Sequence, residues 1–172
     1  MRAFDPVTLR RIATEIQDER KKLDDLFLEW EGHRFRDWTD TILLRGKASI
    51  FHDFYCGAEN IFRRIAPELN GGLPDGPAWH KRLLRNMSLQ IPEVRPAVIA
   101  KETFTLLDEF LDFRHKFRHM YGFDLDFRKL DNLERIYPEA HKEFSEDIDE
   151  FLAFLEGLIK AIETKNQASA ME

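Results

Sequence analysis

The sequence predicts an all-α fold, an up-and-down bundle of four to five helices in a single domain. Three observations lead there. Apolar residues recur every three or four positions through most of the 172-residue chain, no stretch alternates as a strand would, and Pro and Gly clusters divide the helical stretches from one another. The length fits one domain with a real core, and 43% hydrophobic with 34% charged residues describes a globular rather than a disordered chain. Fifteen Phe stand against three Tyr and three Trp. A phenyl ring needs no hydrogen-bond partner when buried, so this composition predicts a dry, ring-rich core or interface.

The first helix opens at "FDPVT", with Asp5 as cap and Pro6 at the first helical position. Its apolar stripe runs through Leu9, Ile12, Ile16, Leu23, Leu26, Phe27 and Trp30, and the intervening "DERKK" reads as a solvated face. A break follows around Gly32. The second helix is expected from about Asp37 to Arg64, with Ile50, Phe51, Phe54, Ala58, Ile61 and Phe62 in period, ending before the loop "PELNGGLPDGP". Pro77 starts a short third helix, "PAWHKRLLRNMSLQ", and the prolines of "IPEVRP" end it. The fourth is expected over Ala97 to Tyr121 and stops at Gly122. Asp124 or Asp126 then caps a last helix reaching about Thr164. Residues 1–164 are thus the helical domain, and 165–172, "KNQASAME", a flexible C-terminal tail.

Composition also narrows function. A net charge of −6 argues against broad, non-specific polyanion binding but leaves room for a local basic cleft. The single Cys56 forms no intramolecular disulfide and no cysteine zinc site, and reads as a small buried side chain. The N-terminus has no apolar run of signal-peptide length and no segment approaches bilayer length, so the expectation is a cytoplasmic protein without membrane contact.

The chemistry gathers in "FRHKFRHMYGFD", residues 113–124, at the expected end of the fourth helix. Arg114, Arg118 and Tyr121 share one stripe; His115 and His119 share the next, which Asp108 and Asp112 continue backwards. Arg114 and His119 lie about 140° apart on the wheel, so they flank whatever approaches rather than stack. A guanidinium grips phosphate oxygens in a planar fork and an imidazole moves protons near neutral pH. Other readings of the same residues remain. Basic groups in a last turn complement the helix dipole. Asp108, Asp112, His115 and His119 could form a metal stripe, although no third ligand from another helix can be placed. Tyr121 could simply seal the helix end.

The pattern Arg-x4-His-x-Tyr, at a helix end in an all-α bundle of this length, resembles the HEPN superfamily. More narrowly it resembles the HepT-type toxins, whose genes adjoin a minimal nucleotidyltransferase antitoxin. "WHKRLL", "IPEVRP" and "YGFDLD" before a long last helix resemble the longer HepT-like members, so the likeness spans roughly Pro6 to Leu158. It implies a metal- and cofactor-independent endoribonuclease toxin, a homodimer that cuts RNA rather than DNA by 2′-hydroxyl attack. Arg114 would hold the scissile phosphate and His119 would act as general base or acid. Tyr121 would accept AMP from the antitoxin, and phosphates there would fill the cleft with negative charge. His115 departs from the small polar residue common at its position; it could assist proton transfer or merely pair with Asp112 or Asp108, the second being favoured, and it and Arg118 are auxiliary candidates. Some relatives also use an acidic residue from another helix; Glu59 comes into view but is not assigned. The alternative is a non-catalytic HEPN module that binds a nucleotidyltransferase or a nucleotide.

Elsewhere, Arg63, Arg64, Lys81, Arg82 and Arg85 form a second basic concentration that could hold RNA phosphates, with a solvated surface the favoured reading. His52, His80 and His141 lack a spaced partner in the sequence and read as structural.

Overall fold

The computed structural model describes residues 4–34, 39–119 and 125–170, which form five helices and no strand beyond one isolated bridge between Ile91 and Arg95. They are α1 (Pro6–Glu31), α2 (Thr41–Leu69), α3 (Trp79–Met87), α4 (Lys101–Phe117) and α5 (Phe127–Ala170). Each start has a local cause. Asp5 accepts from the backbone N–H of Val7 and Thr8, and Asp40 from those of Ile42 and Leu43. The second helix therefore begins at Asp40 rather than near Asp37, and it runs past the expected stop at Arg64, carrying Pro67 in its last turn. Asp126 accepts from the Arg128 N–H at 3.0 Å, which makes it the cap of α5. The start of α4 at Lys101 is a tertiary matter: the Ala100 N–H donates to Asp147 Oδ2 of α5 at 2.9 Å.

At the far end, α5 continues to Ala170 although Thr164 was its expected limit. Residues 164–169 are exposed there, so the last turns extend as helix without packing against the core. Gly122, the expected stop of α4, lies outside the described residues.

The bundle is organised around α2, which packs against each of the other four helices. Its sequence explains why: fifteen of its residues are buried, among them Phe51, Phe54, Ala58, Ile61 and Phe62. The core is ring-rich, as the Phe content predicts. Tyr137 of α5 sits at its centre, with ring centroids 4.9 Å from Phe54, 5.1 Å from Trp30, 5.4 Å from Phe27 and 5.5 Å from Phe51. Edge-to-face contacts dominate, the arrangement the ring quadrupole favours. Burial pushes the Tyr137 phenol well above its ordinary range.

Two polar devices hold the site in place. Lys47 of α2, itself buried, reaches Glu134 Oε1 of α5 at 2.7 Å. Arg95, also buried, ties down the loop between α3 and α4. It donates to Asn70 Oδ1 at 2.7 Å and to the carbonyls of Asn86, Leu89 and Pro96 at 2.7–2.9 Å. Desolvation lowers its pKa to about 10, still charged at neutral pH. Met87 O accepts from Val98 and Ile99 in the same loop, so α3 is fixed against the approach to α4.

Candidate functional site

The helical wheel separates Arg114 from His119, and packing decides which one turns inward. Arg114 is buried, 7% exposed, on the face of α4 that meets α2 and α3. Its Nη2 donates to Glu59 Oε1 at 3.3 Å and its Nε lies 3.3 Å from Cys56 Sγ. Its guanidinium carbon also stands 5.9 Å from the centroid of the Tyr55 ring. Cys56 and Glu59 come from adjoining turns of α2, so one stripe of that helix receives Nε and Nη2 of the guanidinium. Cys56 is half-buried and partnered rather than simply a small core side chain.

Glu59, 4% exposed, serves two cations or donors at once. Its Oε2 lies 2.5 Å from His80 Nδ1 of α3. A carboxylate oxygen accepts, so in the tautomer that satisfies Glu59 the ring donates from Nδ1. It follows that Nδ1 cannot accept from Arg114 Nη1, which stands 3.3 Å away; that contact is proximity imposed by the shared carboxylate. In the neutral ring Nε2 is left as the basic nitrogen. His80 is sandwiched as well as bonded: Trp79 stacks on it at 3.6 Å, and His115 meets it edge-on at 5.4 Å.

The residues expected to act with Arg114 lie outside this buried layer. His115 and His119 are exposed, as is Arg118, and the Arg118 and His119 backbones close the last turn onto Arg114 O and Lys116 O. Among the described residues no hydrogen bond joins Arg114 to His119. Although His115 is largely open, its inner part packs over His80, and desolvation, then the neighbouring His80 and Arg114 charges, lowers its pKa. It thus favours the neutral ring rather than an ion pair with Asp112 or Asp108. Tyr121 lies outside the described residues.

Two corrections to the sequence reading follow. His80 is not without a partner, for Glu59 of another helix supplies one. The same holds for His141, whose Nε2 donates to Asp24 Oδ1 at 2.9 Å, and for His52, 3.0 Å from Asp53 Oδ1. Glu59, which the sequence did not identify as a site residue, is the anchor of Arg114. Its one signal was a carboxylate in an otherwise apolar stretch of α2, "GAENIF". Among the described residues no three His, Cys, Asp or Glu side chains gather into a metal-binding group, and Asp108 is instead paired with Lys81 at 3.1 Å.

No described helix is long and apolar enough to cross a membrane. Among known proteins, the family described as HepT-like protein matches residues 47–155, a span that contains Glu59, His80, Arg114, His119 and Tyr121. No curated protein and no solved structure gives a match. With more than half of the chain matched, and an all-helical single domain consistent with a HEPN-like bundle, the chain belongs to the HepT-like HEPN family.

Proposed function

We propose that this protein is the ribonuclease toxin of a two-component pair, cutting RNA without a metal ion. The observation that carries the reading is a layered helix end. Arg114 is held in a fixed position by Glu59, with His80 beside it, while His115 and His119 stand exposed beyond it. In such cleavage the 2′-oxygen attacks phosphorus and the bond to the 5′-oxygen breaks. The proton leaves the 2′-hydroxyl and one arrives on the 5′-oxygen, giving a 2′,3′-cyclic phosphate and a 5′-hydroxyl. His119 acts as the proton carrier on this reading, its exposed imidazole open to the RNA. Arg114 supplies fixed positive charge near the phosphorane. A second protomer across a two-fold axis would double both groups around one groove.

Tyr121, two residues beyond His119, is the acceptor of AMP from a nucleotidyltransferase antitoxin on this reading. Added phosphates would meet Arg118 and Lys116, both exposed on the same helix end, and block access.

End-group mapping of RNA exposed to the purified chain tests the proposal, with His119→Ala alongside and EDTA in both. Cyclic phosphate ends from the wild type alone support it. Intact mass after incubation with antitoxin and ATP tests the second part: AMP units should appear and be absent from Tyr121→Phe. The burial of Arg114 behind Glu59 favours one rival reading, a non-catalytic module that binds the nucleotidyltransferase. Complex formation without any cleavage would decide for it.

A further inference from the structure

A groove of about 600 Å³ runs between α3 and the N-terminal half of α4, apart from the Arg114 site. Lys81, Arg82 and Arg85 line it from α3 and Lys101 from α4, while Leu89 and Phe104 supply apolar surface. Lys81 is paired with Asp108. Among the described residues no carboxylate lies within ion-pairing distance of Arg82, Arg85 or Lys101. A chain with 32 acidic and 26 basic residues thus leaves three cations unneutralised around one trench. Leu89 is 49% exposed there, and Phe104 packs only partly against the core.

The combination selects a ligand class. Cations alone would suit any anion, but a ring and an aliphatic side chain between them add nothing for a bare ion. They suit a flexible polyanion that carries flat apolar faces, which is single-stranded nucleic acid. A duplex buries those faces. Position adds the direction: Lys81 directly follows His80 on α3, and Phe104 precedes Arg114 by ten residues, about 15 Å along α4. The groove therefore ends beside the buried Arg114 layer. We infer that it is the binding track for a single RNA strand, leading the scissile linkage to the end of α4; the choice of RNA rests on the ribonuclease reading above.

Fluorescence anisotropy of a short labelled oligouridylate on full-length His119→Ala protein, across a salt series, tests this. Each lost phosphate contact on a single strand lowers the slope of log affinity against log salt by about 0.7. Arg85→Ala with Lys101→Ala should therefore lower it by about 1.4 and weaken binding roughly tenfold or more. Phe104→Leu keeps an aliphatic group against the core but removes the ring. It should weaken binding about fivefold or more with the slope unchanged. Binding indifferent to both changes overturns the inference, as does displacement of RNA by an oligoglutamate of equal charge at equal concentration. The two proposals fail separately. If RNA binds as described but is never cut, the ribonuclease reading falls and the groove stands. If the wild type cuts RNA and the groove variants leave KM unchanged, the groove falls alone.

Discussion

Glu59 Oε1 and Arg114 Nη2 lie 3.3 Å apart across 55 residues of sequence, both withdrawn from solvent. Their attraction is offset by the cost of desolvating two charges, so the pair's net worth is modest, but either charge alone in that position is costly. Glu59→Ala and Arg114→Ala should each lower unfolding stability by about 3 kcal/mol or more. The double variant should lose clearly less than the sum. Urea midpoints of the four proteins measure this; a Glu59→Ala protein within about 0.5 kcal/mol of wild type would show that the pair is not what holds Arg114.

His119 and Arg114 should separate by the same measurement. His119 is exposed, and surface substitutions ordinarily shift stability by less than about 0.5 kcal/mol. His119→Ala should leave the midpoint in place while abolishing RNA cleavage. Arg114→Ala should lower both. Cleavage retained by His119→Ala would remove that residue from the proposed chemistry.

Gly57 of α2 lies directly against the Leu23 side chain of α1. A Cβ there would stand 2.4 Å from Leu23 Cδ2 and 3.1 Å from its Cγ, a clash that backbone or side chain must relieve. Gly57→Ala should destabilise by about 1–3 kcal/mol despite the better helix propensity of Ala. Leu23→Ala in the same chain removes the clashing atoms, so the second change should cost less in the Gly57→Ala background than in wild type. Additive midpoints would mean the helices move apart freely.

His141 gives the fold an acid-sensitive position. Burial first, and the Arg20 charge after it, lowers its pKa from the ordinary 6.5, outweighing the charge of Asp24 and the hydrogen bond to it. The unfolded chain then binds this proton at higher pH than the folded one. Stability is therefore lost as pH falls through about 6.5, until the folded ring is also protonated. His115 shifts in the same direction from a more exposed position. His141→Phe keeps a ring against Phe27, which His141 stacks on at 4.2 Å. Its melting temperature should fall less than that of wild type between about pH 7 and pH 5. Parallel curves would exclude His141 as the cause.

Much of this architecture is legible without coordinates. The stripe from Leu9 to Trp30, the cap at Asp5 and the Phe-rich period of α2 depend on neighbours three or four positions away, which one strand of text displays. Where the reading slipped, the cause lay elsewhere in the chain. The start of α4 waits on Asp147, 47 residues later, and the loop after α3 is set by Arg95 reaching Asn70. The motif near the end of α4 was legible by pattern, but the 140° between Arg114 and His119 presumes a helix reaching Tyr121, whereas α4 ends at Phe117 and His119 stands in the turn beyond it.

Sequence by itself determined an all-α bundle of four to five helices, their apolar faces and a family likeness carried by Arg114, His119 and Tyr121. Only the tertiary structure decided that Arg114 points inward, that Glu59 receives it and that His80 shares the carboxylate. The physical reason is that periodicity measures angles around one helix axis but carries no information about what stands opposite. A buried guanidinium is tolerated only where acceptors meet it: an amide and carbonyls for Arg95, and for Arg114 a carboxylate that the packing of α2, α3 and α4 brings from another helix.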